Sequence, residues 1–232
     1  EVNDTLGFTL FAVHIPGMFD RPGVYADPNT GYGYSDELER YMVFQQAVLQ
    51  WIIASSEKPH VIHCHDHHTA LIPFMMNYCP EYESLSYIPT VLTINKDLLP
   101  YFRTYAAPVL DWNGMINSLA TGIKCAWRVT TVSYSYMEEL SVSSNGLEPL
   151  IQSEWHKCKG ILNGIDTETW DPTNDPRIQC HLTNDVKKFK LNNKMAVCER
   201  FRVDPRLPMI TFIGRLVGEK GADLLPDLIL KC

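Results

Sequence analysis

Short buried-type runs alternate along this chain with segments of helical period, and that alternation limits its folds more than any other feature. His60 to Cys64 (HVIHC), Pro89 to Ile94 (PTVLTI) and Arg128 to Ser133 (RVTTVS) show no strict in–out alternation. Strands of that kind are covered on both faces, as in a parallel sheet flanked by helices. Between them lie expected helices. Asp36 to Ala54 places Leu38, Tyr41, Met42, Ala47 and Val48 near helical spacing, with Ser35 ahead of the first turn. His68 to Cys79, Ile116 to Trp127 and Tyr136 to Leu140 read the same way. Gly7 to Ile15 (GFTLFAVHI), rich in β-branched and aromatic residues and closed by Pro16, is a further expected strand. The expected class is α/β. In such a sheet, functional residues gather where strands end at their carboxyl edge. That directs attention to His63–His68, Asn95, Ser133 and Asn163.

The stretch from Thr167 to Arg206 changes character. It is polar and lysine-bearing, carries Pro172, Pro176 and Pro205, and holds one expected helix over about Asp185 to Phe201. After it, Met209 to Ile213 is an expected strand, Gly214 to Lys220 a loop and Ala222 to Leu230 a helix. One strand–loop–helix unit cannot bury both its faces, so it is expected to open a second α/β domain whose remainder lies outside this sequence.

Composition removes several function classes. The chain has 232 residues, 45% hydrophobic and 20% charged, which excludes disorder, collagen and coiled coil. Its net charge of −7, with no lysine or arginine run, makes it a poor partner for nucleic acid or an anionic membrane surface. No apolar stretch approaches the ~18 residues of a membrane helix. The opening EVNDTLGFTLF has neither a basic start nor a small-residue cleavage site, so a cytoplasmic location is expected. Seven widely spaced cysteines without a C-x-x-C read as reduced, mostly buried residues rather than a zinc ribbon or disulfide framework.

Three constellations can carry chemistry. His63-Cys64-His65-Asp66-His67-His68 puts four of the eight histidines within six residues after a strand. Neutral imidazoles at this density suit zinc, iron or nickel. The dinuclear pattern H-x-H-x-D-H does not fit, because Asp66 stands one place early. A polar strand-end loop that holds a sugar or stations one base is the competing reading, and plain structural histidines are a third. Gly214-Arg215-Leu216-Val217-Gly218-Glu219-Lys220-Gly221 lies between a strand and a helix. Its glycines permit close backbone approach, and Arg215 and Lys220 add two cations, so it suits a diphosphate, although an ordinary loop contains the same residue types. It matches neither a Walker loop nor G-x-G-x-x-G. Gly160 to Pro172 contains Asn163-Gly164 followed by Asp166, a turn formula whose polar side chains can alternatively face a ligand.

Together these residues resemble bacterial glycogen synthases and plant starch synthases, glycosyltransferase family 5, nearest to the Bacteroides-type branch. The segments that carry the resemblance are VIHCHDHHTALIPFMM (Val61 to Met76), LDWNGMINSLATGIKCAWRVTTVS (Leu110 to Ser133), GILNGIDTETWDP (Gly160 to Pro172) and FIGRLVGEKGADLLPDL (Phe212 to Leu228). They stand in family order. The resemblance implies a GT-B fold with two Rossmann-like domains, the first mostly present as residues 1–160 and the second begun, incompletely, by the hinge and residues 161–232. It implies transfer of glucose from a nucleotide-sugar, ADP-glucose ahead of UDP-glucose, to the non-reducing end of an α-1,4-glucan with retention of configuration. No metal and no other cofactor is implied.

Carried over residue by residue, Asp66 would act in catalysis, and His65, His67 and His68 would line the sugar and acceptor side of the cleft. Arg215 and Lys220 would hold the diphosphate and stabilise charge on the leaving nucleotide. Asn95, Asn163, Asp166 and Gly214 would contact substrate. Several departures stand against full competence. The family's K-x-G-G-L opening and the glutamate-bearing loop of the second domain lie outside these residues. Thr93-Ile94-Asn95-Lys96 lacks the family's histidine after T-I, and Tyr134 replaces a usual proline. These 232 residues alone are therefore expected to be inactive. A non-catalytic glucan-binding relative and a metal-dependent hydrolase using His63–His68 are the alternative functions.

Overall fold

A computed structural model of the chain describes residues 7–23, 27–95, 111–112, 115–216 and 220–231. It contains two compact units, Glu1–Asn163 and Gly164–Cys232. In the first, α1 (Glu37–Ala54) is followed by β1 (Ile62–His65), α2 (Asp66–Thr69), α3 (Ile72–Tyr78) and β2 (Thr90–Ile94). A two-stranded antiparallel hairpin of β3 (Asp111–Trp112) and β4 (Met115–Ile116) comes next. Then come α4 (Ser118–Cys125), β5 (Arg128–Thr131), α5 (Tyr134–Leu140), α6 (Glu148–Ser153) and β6 (Cys158–Gly160).

The main sheet has the order β1-β2-β5-β6, and every pair in it is parallel. Ile62 faces Thr90, Thr93 faces Thr130, and Thr131 faces Gly160, so all four carboxyl ends emerge on one edge. Cys64, Leu92, Ile94 and Val129 from the strands pack with Leu49, Met76, Leu119, Ile123 and Ile151 from the helices. Each such buried aliphatic side chain contributes roughly 1.5–3 kcal/mol over its exposed state. Gly122 marks the tightest seam. A Cβ there would lie 2.6 Å from the Ala70 carbonyl oxygen and 2.7 Å from the Ala70 Cβ, so only glycine lets α4 approach the turn after α2.

The α/β class is met, and local differences have local causes. The expected helix over His68 to Cys79 is two helices, because Pro73 sits in the first turn of α3, where its missing N–H costs nothing. The expected helix from Ile116 starts at Ser118, where buried Asn117 caps it by accepting from the Ala120 N–H at 3.0 Å. Likewise α5 starts at Tyr134, because Ser133 accepts from the Tyr136 N–H at 3.0 Å. Gly7 to Ile15 does not form the expected strand. Leu10 makes one isolated bridge, and Phe11 lies instead against Trp51 with ring centroids 4.8 Å apart.

In the second unit, α7 (Val186–Phe201) forms as expected, capped by Asp185, and α8 (Leu225–Lys231) follows a 3₁₀ turn. Met209 to Ile213 is irregular, with Ile213 96% exposed. The cause is the same as at Gly7 to Ile15. Apolar, β-prone residues make a strand only where a neighbour completes the ladder, and among the described residues no ladder forms there.

Candidate active site at the carboxyl edge of the sheet

The chain leaves β1 through His65 and turns at Asp66, whose φ of +53° lies in the left-handed region. A non-glycine residue held there costs roughly 1–2 kcal/mol, so surrounding bonds must fix it. Asn95, the residue after β2, supplies them. Its backbone N–H donates to Asp66 Oδ1 at 2.7 Å and its amide to Oδ2 at 3.2 Å. The same amide stands 3.4 Å from His65 Nδ1. Thr69 closes the turn from behind: its hydroxyl accepts from the His65 N–H at 2.6 Å and donates to the His65 carbonyl at 2.9 Å. The sheet edge therefore presents His65, Asp66 and Asn95 as one polar corner.

A hydrogen-bonded row lies one step back along the strands. His63 Nε2 meets Thr93 Oγ1 at 2.6 Å, and Thr93 Oγ1 meets Thr130 Oγ1 at 2.7 Å, linking β1, β2 and β5. The His63 and His65 rings lie 4.3 Å apart. Burial, and secondarily the charge of His65, lowers the His63 pKa.

The other two histidines turn the opposite way, toward α1, with His67 buried and His68 half-buried. His67 is 7% exposed, and its Nε2 lies 3.7 Å from Glu37 Oε1 of α1. The His67 and His68 ring centroids lie 3.8 Å apart with the planes tilted by 34°, and Tyr41 meets the His68 ring edge-on at 4.3 Å. Burial lowers both pKa values, His68 to about 4, so both rings are neutral at ordinary pH.

After β6, the Ile161 N–H continues the pairing to the Thr131 carbonyl at 2.8 Å, and exposed Asn163 follows at the end of the first unit. Gly160 at the end of β6 lies so close to Ser133 and Tyr134 that no Cβ fits. Asp166 forms its own turn. Its carboxylate accepts from the N–H groups of Glu168 (3.0 Å) and Thr169 (2.9 Å) and from the Thr169 hydroxyl (2.7 Å), which hold its pKa down. These bonds fix the carboxylate in its own turn, on an exposed stretch of the chain. Gly214, Arg215 and Lys220 lie exposed in the second unit, and the middle of their loop falls outside the described residues. The loop beyond Asn95 does so too.

Sequence reasoning gave Glu37, Thr93 and Thr130 no functional role and Tyr41 only a place at helical spacing, and no spacing pattern ties any of them to the histidines.

The family model for the starch synthase catalytic domain matches residues 1–153, the span that holds the whole corner. The chain belongs to this starch synthase family. It is 46% identical over 242 residues to a glycogen synthase of Flavobacterium johnsoniae, covering 98% of this chain and 49% of that protein. A glycogen synthase of Lactobacillus acidophilus is 35% identical over 245 residues, covering 95% and 49%. Among solved structures, the catalytic domain of starch synthase IV from Arabidopsis thaliana, bound to ADP and acarbose, superposes with a TM-score of 0.74 at 26% identity. That match covers 86% of this chain and 45% of that one. The chain thus spans about half the length of the starch synthase family members it matches. The family resemblance and the parallel α/β architecture read from the sequence are both met.

Proposed function

We propose that the full-length protein carrying this chain transfers glucose from ADP-glucose to the non-reducing end of an α-1,4-glucan with retention of configuration. The observation that carries the reading is the Asp66–Asn95 corner, a carboxylate on a left-handed backbone turn, held by Asn95 at the sheet edge of a starch-synthase-family domain. The names of the relatives and the ADP and acarbose bound to the Arabidopsis enzyme support the same donor and acceptor classes. UDP-glucose is the second donor to test.

In this reading Asp66, with His65 beside it, orients the transferred sugar and the incoming hydroxyl. Asn95 fixes Asp66 and replaces the histidine that the family usually carries there. Arg215 and Lys220, with Gly214 allowing close approach, are assigned to the donor diphosphate, where two cations stabilise the charge that builds on the leaving nucleotide. Asn163 is assigned to the donor side. The glucan hydroxyl attacks the oxocarbenium-like carbon on the face the nucleotide leaves, passing its proton to the departing phosphate. Positioning and charge neutralisation then supply most of the rate. A cytoplasmic setting belongs to this reading and fits the six free cysteines among the described residues. The two domain roles, residues 1–160 for acceptor and sugar and 161–232 as hinge and donor entry, belong to it as well. Among those described residues no helix is long and apolar enough to cross a membrane.

The test is incorporation of labelled glucose into glycogen by the full-length protein, from ADP-glucose and separately from UDP-glucose. Incorporation from ADP-glucose is expected, with UDP-glucose weaker. Retained maltooligosaccharide binding with no incorporation from either donor would instead mean a glucan-binding protein that does no transfer.

A further inference from the structure

We propose that Glu37, His67 and His68 form a site for one divalent first-row transition metal, zinc foremost, tying the first turn of α1 to α2. One ligand atom from each residue lies within 4.8 Å of the others. Two neutral imidazoles and a carboxylate are a set that zinc takes with a fourth position left for water.

A second, independent observation points the same way. Both ring nitrogens of His67 are shut off from solvent, and neither meets a hydrogen-bond partner. Leaving such polar atoms unsatisfied costs roughly 1–3 kcal/mol each, and native folds rarely tolerate it without a function. The ring opens on a cavity of about 10 Å³ whose lining includes Glu37, Leu38, Tyr41, Gln45 and Leu71. That is room for about one water-sized group.

The spacing is close to what a metal needs. His67 Nε2 and Glu37 Oε1 are 3.7 Å apart, whereas ligands around tetrahedral zinc sit ~3.3 Å from one another. Side-chain rotation of roughly an ångström closes the set. The surrounding charge is mixed: Arg40 opposes a cation near His68, while Glu37 and Asp66 favour one. The role is structural. Glu37 is thirty residues upstream of His67, so the ion would join two distant segments directly behind the Asp66 turn. No chemical step passes through it.

The test uses the full-length protein without a histidine tag, stripped with chelator, desalted and titrated with zinc chloride. One equivalent should bind. Glu37→Gln and His67→Gln should each weaken binding about tenfold or more, whereas His60→Gln, an exposed histidine outside the site, should not. Cobalt chloride on the unaltered protein should give the visible bands of a four-coordinate nitrogen–oxygen site, a readout that needs no variant to fold. Three results would each overturn the proposal: no saturable zinc binding, binding unchanged in both variants, or a thiolate-to-cobalt band assigning the metal to cysteines.

Discussion

The two halves of His63–His68 obey opposite physics. His63 and His65 sit on β1 with exposed side chains, and their rings meet Thr93 on the neighbouring strand and Asn95 just after it. His67 and His68 sit on α2, turned under α1, against Tyr41 and the Glu37 carboxylate. Asp66 is the hinge between the halves, and its left-handed backbone reverses the direction in which side chains leave the chain. Four adjacent histidines therefore make no single cluster. A change of period, from two along a strand to 3.6 along a helix, separates residues that are neighbours in sequence.

The largest effect should come from breaking the hinge. Asp66→Asn keeps the shape but removes the charge, and in the full-length protein, on the function proposed above, it should lower kcat for glucan transfer by ~100-fold while leaving the urea midpoint nearly unchanged. A loss confined to KM would mean that Asp66 only binds acceptor. A fall in stability without loss of rate would place it with the structural half.

Next comes the seam under the buried half. Gly122→Ala puts a methyl against the Ala70 carbonyl oxygen at 2.6 Å, and neither backbone can yield without moving α4. We expect about 1–3 kcal/mol of destabilisation in urea unfolding. No change would show that the α2–α4 approach is looser than the structure has it.

These two residues also show what the sequence makes legible. The strand–helix alternation predicted the parallel sheet and located Asp66 and Asn95, because both follow continuous apolar runs. The separation of His63 and His65 from His67 and His68 was not legible, since it depends on where β1 stops, which Thr69 fixes by a local bond and Asn95 by a tertiary one. Glu37 was invisible for the same reason: its meeting with His67 is made by helix packing, not spacing. Gly7 to Ile15 and Met209 to Ile213 misled in the opposite direction. Their composition is β-prone, but a strand is a property of a pair.

A smaller effect should follow from the row behind the corner. Thr93→Val keeps shape and removes the hydroxyl between His63 and Thr130. The expected cost is about 1 kcal/mol, raised if His63 and Thr130 are left unsatisfied and lowered if they turn to solvent. If the midpoint does not move, the exposed half owes nothing to that row.

The smallest effect is a pH dependence that belongs to the exposed half. His63 has a pKa below its ordinary 6.5, chiefly through partial burial and then through the charge of His65. Around and below that value the unfolded chain therefore binds more protons at this position than the folded one. The stability tied to neutral His63 is fully present above about pH 6.5 and drains away as the pH falls through and below it. His63→Gln cannot take up the proton, so its urea midpoint should fall less steeply between neutral and mildly acidic pH than that of the unaltered protein. Because solvent screens a half-exposed ring, the difference in slope should be slight. Equal slopes would mean that protonated His63 is as well accommodated as neutral His63, and that the row to Thr93 is neither broken nor strained when the ring takes a charge.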